Sequence, residues 1–435
     1  MKEGYKLLGI HSQSNRYDAP LKFEGDASEQ AYDSRVLCLP GLEFAVLSSP
    51  IEIAYANYFH HILKLDVPNI VVPRNTGESL SKSFMQDADV INVIKSKQEK
   101  SGNHYVVSVF DATDTENELL QHLKRVKLDV LPEVNFPVAS RLGNKAEFRK
   151  FCKANAVPQL PGGVFSSISE LESFLMSAKM ANLQVIIKHP YGTAGEGISI
   201  VGQDGASSLN DYSLWDSWIK NNGEVVAEVF NPGGGEHALH IYIDPVAKTP
   251  KIVGLYDQLV SKKPDGTLAH YGCRYPMQNE GINRSLTNIA TERIIPALLD
   301  IGYTGPACFD VLSDPMHFME LNARSGANMY AHRIVERVAE ELYGTSDVSF
   351  MFLTGLKHEI TSFDEFSHKF QAVLSPQDQG TIIFTNPSRH AFGSYDIIGV
   401  STKGVDYAEA ILFNALVKIW GSNAAKLLFD KIYTR

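Results

Sequence analysis

Cysteine is scarce in this chain: the four present (Cys38, Cys152, Cys273 and Cys308) lie far apart and form no C-x-x-C pair. Their spacing excludes the sequence signatures of a zinc site and of a disulfide framework. No uninterrupted apolar run is long enough to span a bilayer, and Met1 to Gln13 lacks the apolar core of a signal peptide. These absences predict a reduced, cytoplasmic protein with no membrane partner. Basic runs are missing too: 40 basic and 50 acidic residues are spread evenly, for a net charge of -10, so no nucleic-acid partner is expected. No internal repeat or low-complexity tract occurs. A content of 44 % hydrophobic and 21 % charged residues is that of a folded chain, and 435 residues exceed what one core serves, which predicts two or three domains.

The first third alternates short apolar runs ("YKLLGI", "RVLCLPG", "NIVVP", "HYVVSVF") with stretches of helical period, Ile51 to Leu65 and Thr115 to Val126. Alternation of this kind predicts an α/β fold, with a parallel sheet and crossover helices over residues 1–135. No G-x-G-x-x-G follows the first strand, so a dinucleotide is not expected there. A boundary is expected near "LPEVNFPVAS". Beyond it, within a second domain of 136–335, Asn144 and Ser167 are placed to cap two helices, and a strand-rich region follows them. The remaining residues, 336–435, hold a hairpin-like "GTIIFTN" and an amphipathic helix "YAEAILFNALVKIW", and read as a small α+β extension.

The segment "VIIKHPYGTAGEGISIV" runs from a strand ending at Lys188, through a loop with Gly192, Gly195 and Gly197, into a second strand. Such glycines let backbone N–H groups approach phosphate oxygens, and Lys188 adds a full charge. A P-loop is excluded, because no Lys-Ser/Thr follows and the loop returns as a strand rather than opening a helix. The plainer alternative is an ordinary hairpin with a glycine-rich tip.

The segment "FDVLSDPMHFMELNARSG" reads as two strands joined at Ser313-Asp314-Pro315. Glu320, Asn322 and Arg324 have one parity and so share a face, with Met319 and Leu321 expected in the core. The turn brings Asp310 alongside. Asp310, Glu320 and the Asn322 carbonyl are a hard-oxygen set of the kind Mg²⁺ takes when shared with phosphates, and Arg324 can neutralise a transferring phosphoryl group. The plainer alternative is a solvated polar strand face.

Taken in order, Lys145, the strand–Lys188–glycine loop–strand unit, "AEVF", Glu236 and "D…E-L-N-A-R" resemble the ATP-grasp superfamily over roughly residues 135–335. The resemblance implies an ATP-grasp core preceded by a Rossmann-like pre-ATP-grasp domain and followed by a small C-terminal domain. It implies that Lys145 and Lys188 contact the nucleotide's phosphates and adenine, and that the glycine loop covers the phosphates. Glu228 and Phe230 would form the hinge that meets the adenine, with Glu236 on the ribose. Asp310, Glu320 and Asn322 would ligate Mg²⁺, or Mn²⁺ in its place, and Arg324 would face the γ-phosphate and the acyl phosphate. Asp310 departs from the glutamate of many relatives at the first metal position. The stretch "ELNARSG" looks closest to carboxylate–amine ligases. These use ATP to activate an acid as an acyl phosphate for attack by an amine, as in amide or peptide bond formation, and release ADP and phosphate. The implied partners are a small carboxylate and an amine, and a homodimer is left open.

No covalent protein intermediate is expected, so none of the four cysteines should be essential. His240 and Tyr242 are candidates to border the substrate pocket, against the alternative of polar residues on a sheet face. Arg274 is a candidate for a substrate carboxylate or, equally, for a surface ion pair. Two other functions stay open: acyl transfer to a carrier-protein or coenzyme A thiol, and a nucleotide-binding protein without turnover.

Overall fold

The computed structural model describes residues 4–12, 31–74, 79–191, 197–202, 209–230, 235–262 and 268–433. Five strands near the N-terminus, β1 (Tyr5–Ile10), β2 (Leu42–Val46), β3 (Asn69–Val71), β4 (His104–Val109) and β5 (Val130–Pro132), form a parallel sheet in the order β3-β2-β1-β4-β5. Both faces of this sheet are buried: Leu7 joins one core cluster while Leu8 and Ile10 join another. Double burial is why these strands read as unbroken apolar runs. The crossover helix Ala88–Ser101 is capped by the Asp87 carboxylate, which accepts from the N–H groups of Asp89 and Val90. The next helix, Asp114–Arg125, follows Thr113, whose hydroxyl donates to the Glu116 carboxylate in the first turn. This parallel sheet with its crossovers is the Rossmann-like arrangement the alternating pattern predicts.

One element differs. "RVLCLPG" forms no strand: Asp33–Cys38 is a 3₁₀ helix with all six residues buried, and the strand begins only at Leu42. A short apolar run buried on every side carries no period by which helix and strand can be told apart.

Four strands, β6 (Gly162–Phe165), β7 (Val185–Lys188), β8 (Ile198–Val201) and β9 (Val225–Val229), make a small antiparallel sheet in the order β6-β9-β7-β8. Its Val185, Ile187, Val225 and Ala227 pack with Leu171 and Leu175 of helix Ile168–Met180, and with Trp215 and Trp218 of helix Leu209–Asn222. By the two-residue period, Ile186, Lys188, Val226 and Glu228 point from the opposite face.

The third sheet has eight strands: β10 (Glu236–Ile243), β11 (Pro250–Lys262), β12 (Leu268–Tyr275), β13 (Gly305–Leu312), β14 (His317–Asn322), β15 (Ser349–Lys357), β16 (Gly380–Thr385) and β17 (Ser394–Ser401). Their order is β14-β13-β10-β11-β12-β15-β17-β16, so the strands of the last hundred residues extend the sheet that begins with β14 and β13. Helix Val405–Trp420 packs Leu412 and Leu416 into the same core as Phe350 and Ile398. Among the described residues no helix is long and apolar enough to cross a membrane.

Candidate active site

The small sheet and the eight-stranded sheet meet at helix Lys145–Ala154. Asn144 caps this helix, its side-chain oxygen accepting from the N–H groups of Ala146 and Glu147, as its position before the helical run predicts. The cap puts Lys145 at the first helical position, where its own N–H reaches the Pro190 carbonyl at 2.9 Å, just beyond β7. The Lys145 side chain turns to the other sheet and pairs with Glu320 of β14, Nζ to Oε2 3.0 Å.

Lys188, the last residue of β7, is 5 % exposed, and its Nζ lies 2.6 Å from Glu228 Oε2. The second Glu228 oxygen is held by the Arg149 guanidinium, and Arg149 also donates to the Leu160 carbonyl at 2.8 Å. Glu228 is 2 % exposed and sits between two cations, Arg149 at one oxygen and Lys188 at the other. The Phe230 N–H is likewise committed, to the Gln184 carbonyl at 2.8 Å. Glu236 stands half-buried at the head of β10, opposite Leu312. Of the loop glycines, Gly192 and Gly195 lie outside the described residues. Gly197 has a left-handed φ of 65° at the entry to β8, and its carbonyl accepts the His189 N–H at 2.7 Å, closing the base of the loop.

On the larger sheet Asp310 of β13 sits directly opposite Glu320, while its neighbour Val311 pairs with Phe318. Met319 is therefore the extra residue of a bulge. The bulge overturns the simple parity expected here: Phe318, not Met319, joins Leu321 in the core, and Met319 is half-exposed. Glu320 and Asn322 still share a face, because both lie on the same side of the bulge.

Burial and the facing Glu320 push the Asp310 carboxyl well above the usual carboxylate range. Burial acts the same way on Glu320, but Lys145, and behind it Lys188, outweigh it and hold the Glu320 carboxyl down. Asn322 Nδ2 donates to both, at 3.1 Å to Asp310 and 3.3 Å to Glu320. Its amide oxygen, expected as a metal ligand, instead accepts from Arg324 at 2.7 Å. A half-turn of the amide, an exchange of nearly isosteric O and N, would bring that oxygen to the carboxylates.

Arg324 lies 3.8 Å from Asp111 and over the Phe110 ring at 5.0 Å, so the C-terminal end of β4 reaches the same site. The turn carrying it is stapled by Cys308, whose thiol donates to the Arg324 carbonyl at 3.1 Å and accepts from the Gly326 N–H at 3.2 Å.

The donors are all hard oxygens: two adjacent carboxylates and one amide. Among the described residues no cluster of three His, Cys, Asp or Glu side chains forms. Two carboxylates are too few to cage a metal alone, but they suit a Mg²⁺ ion that takes its remaining ligands from phosphates and water.

Two other candidates have surroundings of a different kind. His240 is 3 % exposed, lies against Tyr256 with ring centroids 4.6 Å apart and the planes tilted, and is kept neutral by burial, its pKa lowered to about 3. It is a core histidine under the Gly326 turn rather than a pocket wall. Arg274 is engaged by Asp406 at 3.0 Å and Glu409 at 3.4 Å, the ion pair that is one of the two expectations for it. Two clefts of about 850 and 550 Å³ run along helix Ala327–Tyr343, and no phosphate- or metal-site candidate lines either.

Three residues of the site escape sequence reasoning. Arg149 had a signal, since it falls four residues after Lys145 on one helix face. Gln258 donates to Asp310 at 2.8 Å from β11, and Asp111 reaches Arg324 from the parallel sheet. Both are brought in by pairings between distant segments that carry no local mark.

No family model matches the chain, and no curated protein matches it. Solved structures do. The biotin carboxylase of Campylobacter jejuni, in complex with β-γ-ATP, superposes with a TM-score of 0.55 at 14 % identity, covering 87 % of this chain and 91 % of that one. A PurK N5-carboxyaminoimidazole ribonucleotide synthetase in complex with ADP gives 0.55 at 10 % identity, covering 95 % and 96 %. The biotin carboxylase domain of Hydrogenobacter thermophilus 2-oxoglutarate carboxylase, with MgADP and bicarbonate, gives 0.53 at 13 % identity, covering 89 % of each chain. The chain has the ATP-grasp fold. Within this fold, helix Lys145–Ala154 packs against both the small sheet and β14 of the larger one.

Proposed function

We propose that this chain is a Mg²⁺- and ATP-dependent ligase that activates a carboxylate as an acyl phosphate for attack by an amine, releasing ADP and phosphate. The observation that carries the reading is a lysine from one element, Lys145, held against the paired carboxylates Glu320 and Asp310 of another. Lys145 bonds Glu320 directly, beside Asp310, and Lys188 ends the strand that leads into the glycine-bearing segment. Cations held against paired carboxylates, with a glycine-bearing loop at hand, are the parts that a bound metal–triphosphate needs. The solved structures of this fold named above hold β-γ-ATP, ADP or MgADP.

In this reading Asp310, Glu320 and Asn322 hold Mg²⁺, which supplies charge neutralisation to the phosphate oxygens when bound. Lys145 and Lys188 bind the phosphates. Glu236 meets the ribose, and the end of β9 at Phe230 meets the adenine through groups other than the committed Phe230 N–H. Arg324 faces the transferring phosphoryl group and steadies the acyl phosphate. A carboxylate has no adequate leaving group, and phosphorylation provides one. The protein's share is position and charge rather than a covalent bond. Asp111 and Phe110 bring the edge of the parallel sheet to Arg324, where the acid and the amine would enter.

One form of this chemistry has bicarbonate as the acid. It is favoured by the bound bicarbonate of the H. thermophilus domain and by the carboxylated product that PurK's name records. The test is Mg²⁺-dependent ATP consumption against a panel of acids, bicarbonate included, each with and without amines. Release of ADP and phosphate with one acid and one amine is the expected result. AMP and pyrophosphate would refute acyl-phosphate activation.

A further inference from the structure

Helix Lys145–Ala154 carries two cations four residues apart, and each grips a carboxylate from a different sheet. The Lys145 half belongs to the site already described. The Arg149 half touches neither the carboxylate pair nor Arg324, yet it is built with the same care. Its guanidinium is forked between Glu228 Oε1 and the Leu160 carbonyl, which leaves it one orientation. Glu228 in turn presents its other oxygen to Lys188 Nζ at 2.6 Å. Lys188 and Glu228 lie diagonally on paired strands, since Lys188 faces Val226 and Glu228 faces Ile186. The arrangement is Arg149–Glu228–Lys188, and all three residues are less than a tenth exposed.

Buried charge of this kind is unusual unless it serves a purpose, because well-packed apolar groups of the same size would be as stable or more so. The sheet does not need it for its core, which lies on the opposite face with Trp215 and Trp218. A lysine at the end of a strand beside a glycine-bearing loop has a long side chain with many rotamers. One carboxylate oxygen limits those rotamers, and a second cation stops that carboxylate from following the lysine. We propose that Arg149, acting through Glu228, is a positioning residue that fixes the Lys188 ammonium for the nucleotide phosphates. The role rests on the ATP-binding reading above. It moves the function of Glu228 from contact with adenine to orientation of a lysine.

The test is nucleotide titration of the full chain with ATP, ADP and adenosine, in the presence of Mg²⁺. Arg149→Met is expected to weaken ATP and ADP about tenfold or more and to leave adenosine unchanged, since only the phosphates meet Lys188. Arg149→Lys, which keeps the charge but loses the fork, should fall between, and it stands in if Arg149→Met does not fold. On a Lys188→Ala background, Arg149→Met should add nothing. Equal weakening of all three ligands, or full additivity with Lys188→Ala, would overturn the proposal, because either would mark Arg149 as structural only. If the wild-type chain binds ATP no better than adenosine, the ATP reading itself fails. The Arg149–Lys188 link is then read from acetylation of Lys188 by acetic anhydride, followed by mass spectrometry. Faster labelling in the Arg149 variants supports the link, and unchanged labelling refutes it.

Discussion

Glu320→Gln is the substitution that separates the metal site from the scaffold around it. Glu320 stands between Asp310, directly opposite on β13, and Lys145 Nζ at 3.0 Å. At that separation and an effective dielectric constant near 20, the Lys145–Glu320 attraction is about 5–6 kcal/mol before desolvation is counted. Breaking one half of a fully buried pair typically costs about 3–5 kcal/mol. Here Glu320 is 27 % exposed, and a glutamine oxygen can still accept from Lys145. Both features reduce the loss, to about 1–2 kcal/mol of stability in the metal-free protein. The loss of function should be far larger, because a neutral amide replaces one of the two carboxylates available to Mg²⁺. Denaturant unfolding with and without Mg-ATP, together with ATP turnover across a Mg²⁺ titration, measures both. A folded variant should lose its Mg²⁺-dependent turnover and its stabilisation by Mg-ATP. Near-wild-type turnover with an unchanged Mg²⁺ dependence would refute the assignment of Glu320 to the metal.

Asn322→Ala should likewise abolish Mg²⁺-dependent turnover with folding intact, and normal activity would remove Asn322 from the site. Asp396 is 1 % exposed; burial pushes its carboxyl up, but Arg389 and Arg35 outweigh this and hold it below the usual carboxylate range. A depressed folded pKa contributes stability above the unfolded value that is lost as pH falls through the folded one. Unfolding midpoints should therefore drop below about pH 4, and Asp396→Asn should flatten that part of the profile; an identical slope would exclude the residue as a cause. Gly272 has φ +147°, and a Cβ there would lie 1.8 Å from the Phe352 carbonyl oxygen. Gly272→Ala should cost several kcal/mol by thermal unfolding, about 2–4, and an unchanged melting curve would show that β12 can move away from β15. Arg274→Ala should change stability little and keep turnover, because its Asp406 partner is 93 % exposed; lost turnover would return Arg274 to the substrate site.

How much was legible beforehand follows a physical line. Features set by neighbours in sequence were readable. The Asn144 and Ser167 caps, the strand–loop–strand around Lys188 and the turn at Ser313–Pro315 each depend on residues within a few positions. The parallel sheet holding β1 and β4 was readable from alternating apolar runs, the shared face of Glu320 and Asn322 from strand parity, and the place of Asp310 from the turn.

What the sequence left open depended on pairing at a distance. A buried 3₁₀ helix at Asp33–Cys38 is indistinguishable from a strand until its surroundings are known. The Met319 bulge appears only when Asp310 and Val311 find their partners across the turn. Which carboxylates are free for a ligand was also a tertiary matter. Glu228 is buried between Lys188 and Arg149, whereas Glu320, paired with Lys145, keeps 27 % of its side chain exposed beside Asp310, and both read alike as acids on strands. The sequence by itself determined the local elements and the order of the chemical groups, because backbone preference and side-chain period are short-range. Only the tertiary structure decided which of those groups share a site and in what charge state, because burial and Coulomb interaction are set by residues far apart in the chain.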